Sequence, residues 1–315
     1  MNLFRFAIAT TLATFALLLV GGTVNPAGAS LACPDWPLCY GQLFPEMKNG
    51  VQFEHTHRMV ATLVGVMTIV LAVWIRRARP ELFGLGLLAL VAVVVQGVLG
   101  GVTVLLQLPT AVSTTHLALS MLFFVLMIYL CFRLWPGSDR APEEAATQEP
   151  PRRSALLHTM GLVYLQMLLG AFMRHTGAGR VCGTDYMLCA GQVWPGFGPM
   201  QVHMLHRLVG YLVFLGVIVA SIIAVKQARL HDRRLARVAA LVAPWLALVQ
   251  VMLGLYTVAS GVSVAAATLH LGGGALLLAV LLVAYLGLGP QVLRVAAADN
   301  PGRAAETRPA AETAG

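Results

Sequence analysis

The chain has 315 residues, 58% of them hydrophobic and 11% charged, which excludes an ordinary soluble domain and fits a protein that crosses a membrane many times. Its formal net charge of +8 does not point to nucleic acid, because the basic residues gather in alternate segments between apolar runs. Arg5, Arg76, Arg77, Arg79, Arg133, Arg140, Arg152, Arg153, Lys226, Arg229, Arg233, Arg234, Arg237, Arg294, Arg303 and Arg308 fall on one side, sixteen of the 21 Lys and Arg, and the positive-inside rule makes that side and both termini cytoplasmic.

Apolar runs long enough to span a bilayer cover about 3-22, 53-75, 82-106, 112-135, 155-174, 200-225, 238-259 and 264-289. The first thirty residues also read as a signal peptide, with Arg5, an apolar stretch and the small-residue "AGAS". "SLAC" before Cys33 is a poor lipidation site, however, and the repeat described below keeps the first run as a helix. Next comes the loop "CPDWPLC", then "FEHTHRMVATLVG", which sets Glu54, His57 and Arg58 at the head of the second span. The third span carries "QGVLGGVTV" from Gln96; the fourth carries His116 near its start and Cys131, read as a free thiol, near its cytoplasmic end. "PGSDRAPEEAATQEPPRR", 136-153, is rich in Pro, Ala and charge and reads as a cytoplasmic linker. The fifth span leads into a second loop, "CGTDYMLC", and the sixth opens with His203, His206 and Arg207. "QVMLGLYTV" from Gln250 lies in the seventh and His270 in the eighth, and 291-315 reads as a disordered tail.

This order is written twice. "DWPLCYGQLFP" from Asp35 matches "DYMLCAGQVWP" from Asp185, and "HRMVATLVGV" from His57 matches "HRLVGYLVFLGV" from His206. "QGVLGGVTV" matches "QVMLGLYTV", and "TTHLALS" matches "ATLHLGG". Four stations in one order mean two homologous halves. The expected fold is all-α, eight transmembrane helices as two pseudo-symmetric four-helix bundles, over 1-135 and 154-290.

His57, His116, His206 and His270 each fall one to two turns into a helix that begins on the outer side, so they share a depth in the outer leaflet. Ionisable groups in hydrocarbon are costly and face the bundle interior. A zinc or copper site gathers three or four ligands, whereas two imidazoles on facing helices, with small residues such as Gly100, Gly101, Gly272 and Gly273 nearby, suit a flat macrocycle held by two axial nitrogens. Bis-histidine haem is the reading, His57 with His116 and His206 with His270. Arg58 and Arg207 either pair with haem propionates or snorkel to the headgroups. Glu54 lies one turn outside His57 on the same face, and the matching position in the second half is His203; the carboxylate is either catalytic or an interfacial group paired with Arg58 or Lys48. His55, His158, His175 and His231 have no repeat-matched partner and read as structural. Within-loop pairing of Cys33 with Cys39 and Cys182 with Cys189 is the economical choice among three connectivities, either stiffening each loop or exchanging with a thiol carrier.

"GTVNPAGASLACPDWPLCYGQLFP", the Glu54-x-x-His57-Arg58 of "EHTHR", "QGVLGGVTV" and the later histidines resemble the heme A synthase family, in its cysteine-containing bacterial subgroup, over residues 1-290. The resemblance implies oxidation of the ring D methyl of heme O to a formyl group, giving the heme A of terminal oxidases. It implies Glu54 as the catalytic carboxylate, His57 and His116 around substrate heme O, and His206 and His270 on a resident heme B cofactor. It implies disulfides within both loops; the charge pattern sets the protein in the plasma membrane with the cysteine loops outside, and the sequence identifies neither the electron donor and acceptor nor whether the chain docks on a heme O synthase. The alternatives are a di-haem membrane cytochrome that only moves electrons, and a haem carrier.

Overall fold

A computed structural model describes residues 2–136 and 152–289; the expected tail, and the expected linker apart from its ends, lie outside the described residues. Eight long helices account for most of the described chain: α1 Leu3–Val24, α2 Val51–Ala78, α3 Phe83–Leu105, α4 Thr110–Leu134, α5 Ser154–His175, α6 Gly198–Leu230, α7 Arg234–Ala259 and α8 Val264–Gly287. All eight are long and apolar enough to cross a membrane, and among the described residues there is no strand, only isolated bridges Cys39 to Gln42 and Cys189 to Gln192. The largest departure from the expected runs is α6, whose 33 residues extend about 50 Å. That exceeds the roughly 30 Å of hydrocarbon, and the overhang carries Lys226 and Arg229.

Helices α6 and α7 bury their smaller residues and expose large ones. On α7 the buried residues include Ala236, Ala239, Ala240, Ala243 and Ala247, and on α6 Val213, Val217, Ala220 and Ala224 are buried while Leu212, Leu215, Val219 and Ile222 are exposed. Lipid tails are as apolar as leucine, so burial of leucine gains little there and close packing of small side chains takes over. Several buried hydroxyls bond within their own helix, as Thr10 Oγ1 does to the Phe6 carbonyl at 2.9 Å and Thr14 Oγ1 to that of Thr10 at 2.8 Å.

Helix α1 packs on α2 and α4, and α3 lies between α2 and α4; α5, α6, α7 and α8 form the same ring. Between the rings, α1 meets α8, α5 meets α4, and α4 meets α8. Exchanging the two halves turns the first of these contacts into the second and leaves the third unchanged. At the junction Leu18, Met121, Phe124 and Ala275 form a buried cluster. Nearby, Arg174 Nε donates to Asn25 Oδ1 at 2.8 Å across 149 positions of sequence, the same offset that relates His57 to His206, so the bond joins two repeat-equivalent positions.

Candidate functional site: two histidine pairs beneath two disulfide loops

Each of the four repeated histidines lies against a glycine of the preceding helix. A methyl group added at Gly21 would come within 2.8 Å of the His57 ring, at Gly100 within 3.4 Å of His116, at Gly170 within 2.8 Å of His206, and at Gly254 within 3.2 Å of His270. In both halves the first glycine precedes its histidine by 36 positions and the second by 16, a regularity visible in the sequence whose meaning is three-dimensional. Of the other glycines expected near the rings, Gly101 faces Trp36, Gly272 faces Leu19 and Gly273 faces Gln250.

The Nδ1 atoms of His57, His116, His206 and His270 are all buried without a hydrogen-bond partner; the His270 ring also lies against the backbone of Gln250. An unmet buried polar atom costs about 1–3 kcal/mol, so four at matched positions are not accidents of packing. His206 and His270 have ring centroids 6.4 Å apart and planes at 87°. Two imidazoles sharing one metal sit about 6 Å apart, with bonds of about 2 Å on each side and about 1 Å from nitrogen to ring centre. His57 and His116 lie within electrostatic range of one another, and His175, at the end of α5, is in turn within range of His116. The helices carrying these rings are tied by glutamines: Gln96 Nε2 donates to the His116 carbonyl at 2.9 Å and Gln166 Nε2 to that of His206 at 2.7 Å.

Disulfides Cys33–Cys39 and Cys182–Cys189 close the two loops, and one arginine per half ties its loop to its histidine helix. Arg58 donates to the carbonyls of Asp35 (2.6 Å), Leu38 and Cys33 (3.2 Å). Arg207 donates to those of Leu188 (3.0 Å) and Asp185 (2.8 Å). Holding the loop down is a role that reading the sequence did not give either arginine. Inside the first loop, the Asp35 carboxylate accepts from Tyr40 N at 2.6 Å and Gly41 N at 2.7 Å. The Gly41 amide, with those of Tyr40 and its own residue and the Arg58 charge, outweighs partial desolvation and holds Asp35 below the usual carboxylate range.

Glu54 and His203 occupy matching positions and make matching contacts of different charge. Glu54 is 4% exposed; its Oε1 takes Arg58 Nη2 at 2.5 Å and its Oε2 takes the Cys33 amide at 2.9 Å. Lys48 pairs with Glu46 instead. His203 is 2% exposed, with Nδ1 2.9 Å from the Ala178 carbonyl and Nε2 3.1 Å from Arg207 Nη2. A guanidinium only donates and a carbonyl only accepts, so His203 is the neutral tautomer with its proton on Nδ1. The first half therefore buries an ion pair where the second buries a guanidinium donating to a neutral imidazole. Cys131 is the one free cysteine; it packs against Thr11 Oγ1 at 3.1 Å, in the α1–α4 contact and away from these loops.

The COX15-CtaA family model, described as "Cytochrome oxidase assembly protein", matches residues 4–282. Among similar proteins, the heme A synthase of Alkalihalophilus pseudofirmus is 28% identical over 82% of this chain and 86% of its own length. That of Symbiobacterium thermophilum is 31% identical over 64% and 69%, and that of Bacillus licheniformis 26% over 84% and 86%. With a match running from the first helix into the eighth, the chain belongs to the COX15-CtaA family of cytochrome oxidase assembly proteins.

Proposed function

We propose that this chain is a heme A synthase, oxidising the ring D methyl of heme O to a formyl group. The observation that carries the reading is an asymmetry: of two histidine pairs set in matching glycine notches, one has a carboxylate a turn away and the other has a neutral imidazole. The N-terminal half, 1-135, is then the substrate half, where His57 and His116 would hold heme O. In the C-terminal half, 154-290, His206 and His270 would hold heme B, and the bare Nδ1 atoms and the 6.4 Å ring separation fit that group. Heme B, when bound, supplies one-electron chemistry.

The chain's own residues do the rest. The glycines let the macrocycle's histidines approach the neighbouring helix, and Arg58 and the Cys33 amide hold Glu54 in one orientation. A carboxylate held there can take a proton from the reacting carbon or balance positive charge that develops on it. The protein lies in the plasma membrane with both termini cytoplasmic and both cysteine loops outside, receiving heme O from a heme O synthase and exchanging electrons with a separate donor and acceptor.

The Glu54–Arg58 ion pair also suits a second reading, a di-haem cytochrome or haem carrier in which Glu54 only braces the loop. Haem extraction from membranes that co-express the chain with a heme O synthase, followed by mass analysis, separates them. Formyl-bearing heme A that depends on this chain is the expected result; unaltered heme O with heme B alone would leave the cytochrome or carrier.

A further inference from the structure

The first cysteine loop meets a ligand-bearing side chain that the proposed reaction does not use. Cys33 Sγ, Cys39 Sγ and a ring nitrogen of His55 lie within 4.8 Å of one another, and the three residues are 0%, 0% and 3% exposed. The Nε2 of His55 is 2.9 Å from the Leu43 carbonyl. A carbonyl only accepts, so Nε2 carries the proton and Nδ1 keeps its lone pair. That Nδ1 is buried and has no partner. A ring whose far N–H is tied to a backbone carbonyl is how proteins commonly present histidine to a metal. The second half does not repeat the arrangement, because the position matching His55 is Met204, packed against Cys182 and Cys189, and a thioether has no proton-free nitrogen to offer.

We propose that reduction of Cys33–Cys39 turns this corner into a metal site, in which two thiolates and His55 Nδ1 bind a thiophilic divalent cation such as zinc. Two cysteines and one histidine with a fourth position open is a set that zinc accepts. Bonds of about 2.0–2.3 Å in a tetrahedron separate ligand atoms by about 3.5–3.8 Å, so the histidine needs to close in only slightly while the two sulfurs part. The disulfide is the closed form, since the thiolate and not the disulfide sulfur is the metal ligand. With a phosphine as reductant, phosphorus gives an electron pair and the S–S bond breaks. The phosphine becomes its oxide with oxygen from water, and the two protons of that water end on the sulfurs. The cation then displaces both thiol protons to solvent. Nothing in this step depends on the haem reaction.

The test uses full-length, haem-loaded protein in detergent, reduced with a phosphine, loaded with Zn2+ and desalted. Zinc-edge X-ray absorption is expected to find two sulfur neighbours at about 2.3 Å and at least one nitrogen, with no such zinc in unreduced protein. His55→Ala is expected to weaken zinc binding at least about tenfold, while Met204→Ala leaves it unchanged. Should His55→Ala fail to fold, His55→Gln, which keeps a donor for the Leu43 carbonyl, must show the same loss. Undiminished zinc in the folded His55 variant, or reduced protein with both thiols titrating free and no zinc held, overturns the site.

Discussion

The two halves place the same four parts in the same order: a glycine notch, a disulfide, an imidazole and an arginine bound to loop carbonyls. Among their differences, two adjacent positions carry chemistry: Glu54 and His55 stand opposite His203 and Met204. What is shared is what a haem clamp needs; what differs is what a reacting site would need. Duplication followed by divergence at one helical turn is a short route to a substrate site beside a redox site, and it makes each half the control for the other.

The largest effects should come from the proposed haem ligands. His57→Ala is expected to empty the first half of haem while the second stays loaded, and His206→Ala the reverse, read as haem per protein and as which haem remains. Loss of both haems from either variant would break the one-site-per-half comparison. Next come the arginines. Arg58→Met leaves Glu54 buried without its counter-charge, costing about 3–5 kcal/mol, whereas Arg207→Met leaves a neutral His203, costing about 1–3 kcal/mol. Thermal unfolding of the two variants should rank them in that order. Filling a notch is subtler: Gly170→Ala pushes a methyl against His206, an overpacking cost of about 1–3 kcal/mol, and should shift the spectrum of the second-half haem alone, with Gly21→Ala acting only on the first. The smallest effect is acid sensitivity of the first loop. Because the folded pKa of Asp35 is depressed, its contribution is complete above the unfolded value of about 4 and fades as pH falls through the lower folded value. Protease nicking of the loop should rise only on that acid side, and at neutral pH only in Asp35→Asn.

Much of this was legible in the sequence. In a bilayer, hydropathy maps directly onto helices, so eight runs became eight helices, and α2 begins at Val51, two residues before the expected edge. The repeat singled out four histidines from nine and the loop cysteines as local pairs. What stayed hidden has a common cause. Arg58 and Arg207 bond to backbone carbonyls, and Glu54 to a backbone amide; those partners belong to every residue and so leave no trace in residue identity. Gly21, Gly170 and Gly254 do not stand out in the sequence for a related reason, since a notch is defined by the ring that fills it, 36 or 16 positions away. His203, without a role in the sequence, acquires one through the tautomer that Arg207 and Ala178 impose.

The central claim is that the carboxylate, and not the clamp, makes the first half reactive. It is tested most directly in Glu54→Gln, which keeps the side chain's size and an acceptor for the Cys33 amide while removing the charge. Haems extracted from membranes co-expressing this variant with a heme O synthase should include heme O and heme B at the wild-type ratio of haem to protein, with heme A absent. Heme A formed by the variant at the wild-type rate would contradict the account and return Glu54 to the loop it braces.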